Sequence, residues 1–244
     1  MPKQERSART RRTLLLAAAR SFVQHGYTAT TLSNICTETG VTSGGFYFHF
    51  AGKAAVAEAV VSSAARTLHR TARLARTGQP LPLQALIDTS HALAQVIRQD
   101  AVVQGSLRLA DDRHRTFPRN AVTQWQDLIR HLLHRAAQEG ALLPHAAPGE
   151  LATTITATTR GVEVMGRHDP AWLAPATLTT LWGVLLPRLA TADQLRLLNP
   201  AGTDAVDRAA AGALSVHGPP QDEPETDFQP FPPERAHRPN SWDG

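Results

Sequence analysis

Apolar side chains recur along the chain at helical spacing. Leu14, Ala18 and Phe22 fall every four residues with Leu15 and Ala19 beside them, a single stripe on a first helix. Gly26, directly after His25, predicts where that helix stops. A short second helix is predicted over 32–39, opened by Thr31 and closed by Gly40. A third follows from Ser43 to about Phe48 with Thr42 as its N-cap, since a threonine hydroxyl can accept from the free N–H groups of a first turn. A longer fourth helix begins near Lys53 and carries Ala57, Val60, Val61, Ala64 and Leu68 on one face. Beyond the breaks at Gly78, Pro80 and Pro82, amphipathic segments cover about 83–98, 101–111 and 119–139. Gly140 and Pro144 interrupt, Pro148 can open a helix running to about Gly166, and Pro170 to Pro175 resets the chain before helices at about 176–190 and 192–198. No run of alternating β-branched residues stands out, so the expected fold is all-α.

A chain of 244 residues with 42% hydrophobic positions can bury a sizeable core in one or two domains. Its single cysteine, Cys36, rules out an intrachain disulfide and a cysteine cage for zinc. The run Leu14–Ala19 is far shorter than the ~20 residues of a membrane span, and no signal-peptide layout surrounds it. A cytoplasmic protein without a membrane partner is the expectation.

Charge is unevenly spread. Residues 1–76 hold 11 Lys/Arg against 3 Asp/Glu, residues 77–199 hold 11 against 10, and residues 200–244 hold 3 against 8. A basic head, a neutral body and an acidic end result, and the head favours a polyanionic partner. Eight prolines fall from Pro200 onward and few aliphatics past Val216, so a tail disordered from about Gly218 is expected. The expected division is a head over 1–53, a body over 54–199 and a Pro-rich acidic tail over 200–244.

The most informative stretch is TTLSNICTETGVTSGGFYFHFAGK, residues 30–53. Two short helices joined at Gly40–Val41 suit a helix-turn-helix, with Leu32, Ile35, Val41, Phe46 and Phe50 forming a small core with Leu15 and Phe22. Thr42, Ser43, Gly44, Gly45, Tyr47 and His49 then stay exposed. Each glycine costs a helix roughly 1 kcal/mol relative to alanine. A pair in one first turn is either a frayed turn or a close backbone approach to bases and phosphates, and the aromatics and Lys53 that follow favour the second.

These residues carry a resemblance. A basic start, a helix ending in Gly-Tyr and TLSNICTETGV-x-x-G-x-FYFHF-x-x-K, spanning residues 9–61, resemble the TetR family of one-component bacterial repressors. GGFYFHFAGK, VVQGSLRLADD and a later Trp125 are similar to the γ-butyrolactone autoregulator receptors of actinomycetes within it. The resemblance implies a homodimeric repressor that binds a pseudo-palindromic double-stranded DNA operator and is released by a small effector, with control of secondary metabolism as the expected role. It implies DNA contacts from Arg9 and Arg11 in the N-terminal arm, from Thr42, Ser43 and Gly44 at the recognition helix, and from Tyr47, His49 and Lys53 on phosphates. Ser43 departs from a common lysine or glutamine, Gly52 from a serine cap and Ala54 from a glutamate. For the body the resemblance implies a ligand pocket with Trp125 as wall, Gln104 as polar anchor and Thr159 and Val162 opposite. Leu151, Ile155, Leu178, Trp182 and Leu185 would face the second subunit. The alternative is that those apolar faces only complete the core of a single subunit and that Trp125 is plain packing.

Other chemistry is weakly supported. His131 and His134 lie three apart without a carboxylate or cysteine at ligand spacing, and Asp111 and Asp112 are neighbours that do not face each other on a helix. No metal, no cofactor and no enzymatic activity are expected. A regulator acting without ligand, through protein partners, is the alternative.

Overall fold

The computed structural model describes residues 3–111 and 121–215. These residues fold into helices joined by short turns, with an antiparallel bridge between Leu142 and Ala190. In chain order the helices are α1 (Lys3–Ala29), α2 (Leu32–Thr39), α3 (Ser43–His49), α4 (Lys53–Arg76), α5 (Pro82–Gln99), α6 (Ala101–Leu109), α7 (Ala121–Gln138), α8 (Pro148–Gly166), α9 (Pro175–Leu189), α10 (Ala192–Leu195) and α11 (Ala205–Leu214). A 3-10 turn, Pro170–Leu173, lies between α8 and α9. No described helix is long and apolar enough to cross a membrane.

Local chemistry sets the first boundaries. Gly26 takes φ 72° and breaks α1, after which the chain regains a last turn to Ala29. The Thr31 hydroxyl accepts from Asn34 N at 3.2 Å and the Thr42 hydroxyl from Gly45 N at 3.1 Å. Gly40 closes α2 at φ 67°.

Two large apolar groups follow. The first joins Leu14, Phe22, Ile35, Phe46, Phe50, Val56 and Val60 to Val96, Val102, Val103 and Leu107, so α6 lies beneath α1 and α4. Gly105 permits this approach: a Cβ there would stand 2.8 Å from the Ala19 carbonyl oxygen. The core thus runs without a break past residue 53. The second group gathers Leu83, Leu86 and Ile87 of α5, Ile129 and Leu133 of α7, Ile155 of α8 and Trp182 and Leu186 of α9. The Trp182 indole N–H donates to Ser90 Oγ at 2.8 Å, which satisfies the one polar atom of a fully buried ring.

The end of the body corrects the expected boundary at residue 200. Helix α11 packs on α4 and α5 through buried Ala205, Ala209, Ala210 and Ala213. Alanines pack a helix closely without large side chains, so α11 lies flat on its neighbours with no broad aliphatic stripe. The turn before α11 is tied down by Asp88, wholly buried on α5, which accepts from Gln84 Nε2 at 2.9 Å, Thr203 N at 2.9 Å and Thr203 Oγ1 at 2.8 Å. His91 Nε2 lies 2.9 Å from the Pro200 carbonyl. Burial pushes the His91 imidazole below its ordinary value, opposed by that carbonyl and by Asp88. The disorder expected from Gly218 lies outside the described residues, as do Arg119 and Asn120 at the expected start of α7.

Candidate functional site

Helix α3 is held from one side. Phe46 and Phe50, four apart, are both buried with ring centroids 5.8 Å apart, and they fix α3 to the core of α1 and α4. Thr42, Ser43, Gly44, Tyr47 and Phe48 are left on the outside, with His49 half-buried. Tyr47 is 58% exposed and Phe48 77%. Phe48 was missed as a surface residue, although the spacing of FYFHF contains the signal: at 100° per residue, position 48 points about 200° away from position 46. Its ring stands edge-on to His49 at 5.1 Å.

The cations sit elsewhere. Arg9 and Arg11 are exposed on α1, and the Arg11 guanidinium lies over the Phe50 ring at 4.8 Å, held beside α3 with its edge toward solvent. From Thr31 to Phe50 the one formally charged side chain is Glu38, which pairs with Arg20 of α1 at 3.6 Å. Lys53 corrects the expectation of a phosphate contact. Its ammonium donates to the carbonyl oxygens of Tyr27 at 2.9 Å, Thr28 at 3.2 Å and Thr30 at 2.9 Å, and lies 4.5 Å from the centre of the Tyr27 ring. An ammonium has three N–H donors, so none is left over for a phosphate. Lys53 instead clasps the end of α1 to the start of α4 and frames α2 and α3 between them.

In the body, two expected residues meet. Trp125 Nε1 of α7 donates to Thr159 Oγ1 of α8 at 2.8 Å, and that hydroxyl lies 2.7 Å from the Ile155 carbonyl to which it donates. Gln104 and Val162 are engaged with other groups. The Gln104 amide donates to the Ile97 and Arg98 carbonyls at 2.8 and 3.3 Å, closing the free end of α5. Val162 is buried with Ala94, Leu173 and Leu178. A surface cleft of about 290 Å³ opens among α5, α9 and the start of α11, with His91, Arg98, Leu178 and Val206 in its walls. Next to Thr159, Arg160 reaches Asp111 at 2.5 Å and also bonds Glu163. Arg167 bonds Glu163 at 2.7 Å, and Asp111 as well. This cluster ties the chain just past α6 to α8. Among the described residues no three His, Cys, Asp or Glu side chains gather as metal ligands do.

The expected interface residues divide. Ile155, Leu178 and Trp182 are buried within the subunit, at 1%, 3% and 0% exposure, and so are corrected to core positions. Leu151 and Leu185 are half-buried against the same core. The outward faces carry smaller residues instead: Ala157, Gly161, Val164 and Met165 on α8, and Ala176, Thr180, Gly183, Val184 and Pro187 on α9.

Residues 14–60 match the family described as bacterial regulatory proteins, tetR family. The A-factor receptor protein of Streptomyces griseus is 28% identical over 211 residues, 86% of this chain and 74% of the relative. A crystal structure of a gamma-butyrolactone receptor (ArpA like protein) superposes with a TM-score of 0.69 at 27% identity, over 86% of this chain and all of that one. The full-length native TetR regulator TylP from Streptomyces fradiae gives a TM-score of 0.63 at 30% identity, over 90% of this chain and 96% of that one. With that match over nearly the whole length, the chain belongs to the TetR family of DNA-binding transcriptional regulators, which are not enzymes, and is related to the γ-butyrolactone receptors of actinomycetes.

Proposed function

We propose that this protein is a repressor that binds a pseudo-palindromic operator as a homodimer and leaves it when a small effector of the γ-butyrolactone, furan or antibiotic-like class enters the body. The observation that carries the reading is the outward face of α3, Thr42 to Phe48, mounted on a buried core with Arg11 beside it and Arg9 exposed on the same helix α1. In this reading α2 and α3 are a helix-turn-helix, α3 enters the major groove, and the arginines with Tyr47 and His49 hold phosphates. The small-residue faces of α8 and α9 pair with their symmetry mates, because Ala157, Gly161 and Gly183 let helices approach closely around Met165 and Val184. Two-fold pairing presents two α3 helices to two half-sites.

The effector binds beside the Trp125–Thr159 pair between α7 and α8, where a ligand carbonyl or hydroxyl can take over the indole N–H. Displacing Thr159 moves Arg160, the next residue, and with it the charged cluster on Asp111. Because α6 lies beneath α1 and α4, a shift of its C-terminal end changes how the heads are spaced. The effector releases DNA to the extent that it binds the non-DNA spacing more tightly. The names of the relatives support the ligand class, and control of secondary metabolism is the role that follows from it.

The test is DNA binding by the intact protein and by Val184→Arg, which sets a charge on the proposed subunit interface. The native protein should protect a two-fold-related pair of half-sites, with affinity falling steeply as salt rises. Val184→Arg should sediment as a folded monomer and bind operator at least a hundredfold more weakly. A flat salt response, or full affinity in a monomeric variant, overturns the proposal.

A further inference from the structure

Helix α3 and its lead-in turn lack every side chain of the strong base pairings. Arginine and lysine read guanine, asparagine and glutamine read adenine, and aspartate and glutamate read the cytosine amino group. Residues 40–50, GVTSGGFYFHF, contain none of the six. Lys53, the next cation along the chain, is bound to three carbonyls. Thr42 already accepts from Gly45 N, and His49 is half-buried against Phe48. What α3 and its cap present outward is therefore two small hydroxyl side chains, Thr42 and Ser43, and two aromatic rings, with Phe48 at 77% exposure the largest apolar surface among them. A benzyl ring so exposed on an anchored helix gains from any surface that covers it. In the major groove only one base offers an apolar surface, the 5-methyl group of thymine.

We infer that Phe48 is the specificity-determining residue of this protein and reads thymine methyl groups. This rests on the reading of α3 as the helix that enters the groove. Affinity and base choice are then divided between elements. Exposed arginines of α1, with Tyr47 and His49, hold phosphates without regard to sequence, and Phe48 on the cation-free α3 selects half-sites with thymine at the positions it faces. The partner chemistry is specific: DNA with the 5-methyl present, as opposed to the same sequence with uracil.

Duplexes selected from a random pool by the full-length protein provide the test. Each is then remade with deoxyuridine in place of the thymidines inside the protected half-sites. Covering a methyl group contributes about fourfold in affinity, so the native protein should lose roughly fifteenfold over two half-sites on the uracil duplex. Phe48→Ala should bind the thymine duplex more weakly than the native protein and discriminate thymine from uracil less than twofold. Its circular dichroism should match the native spectrum, since the Phe48 side chain lies mostly in solvent. Phe48→Leu, which keeps an apolar tip, should retain discrimination. Equal affinity of the native protein for both duplexes overturns the inference, as does undiminished discrimination in Phe48→Ala, which would assign it to altered duplex shape. Failure to select any duplex would instead remove the DNA-binding reading on which this one stands.

Discussion

Between Thr31 and Phe50 each structural decision is made within a few residues of where it is read, whereas along α8 and α9 it is made by distant neighbours. In the first region two threonines cap two helices, Gly40 takes the left-handed turn, and Phe46 and Phe50 choose one side of a seven-residue helix. In the second, both sides of each helix are apolar enough to be buried. Ile155 and Trp182 could face a partner as easily as a core, and packing turned the larger side chains inward. The difference teaches that a local motif carries its own orientation, while an apolar helix receives its orientation from what it packs on.

Substitutions sharpen the contrast. The largest effect is expected from Trp182→Ala, which empties a fully buried site and removes the indole donor to Ser90 Oγ, whose own hydroxyl still donates to the Ile87 carbonyl. It should cost about 4 kcal/mol in chemical denaturation. Tyr47→Ala, at an exposed position, should stay within about 0.5 kcal/mol. A loss below about 1 kcal/mol for Trp182→Ala would return that residue to the subunit interface.

Next comes Lys53→Met, which leaves three carbonyls without their donor. It should lower stability by about 2 kcal/mol, as expected for charge-assisted hydrogen bonds, and leave the salt dependence of DNA binding unchanged. Arg11→Ala should do the reverse, reducing the log–log salt slope by about one per subunit with little change in stability. A reduced slope in Lys53→Met would restore the lysine to the phosphates.

The smallest effect concerns pH. Burial holds the His91 imidazole below its ordinary value, so the unfolded chain binds more protons than the folded one between the two values. Stability should therefore fall as pH drops through the ordinary histidine range and level off below the folded value. His91→Gln should flatten that slope without abolishing it. His131 is also held down, by burial and by Arg135, Arg76 and His134, and contributes in the same direction. An unchanged slope in His91→Gln would show that the contact with Pro200 is not what burial of His91 maintains.

Much of the α2–α3 region was legible from sequence, and less of the surroundings of Trp125. Thr42, Ser43, Gly44 and Tyr47 stand exposed as their spacing implied, and Phe48, which that spacing places beside Tyr47 and opposite Phe46, joins them. Trp125 and Thr159 do touch, 34 positions apart, but no periodicity announces a contact between two helices. Gln104 shows the reverse case: a polar residue facing the body proved to serve the neighbouring helix end, where unpaired carbonyls compete for donors at close range.

By itself the sequence determined that the chain is helical, where α2 and α3 begin and end, and which family it resembles, because caps, glycines and stripe spacing act over one or two turns. Only the tertiary structure decided that Lys53 clasps α1, that Trp182 is core, that small residues face outward on α8 and α9, and that an alanine-rich helix near the end folds back on α4 and α5. Each of those outcomes depends on which groups arrive from far along the chain to accept a proton or fill a volume, and a stretch of sequence does not contain its own neighbours.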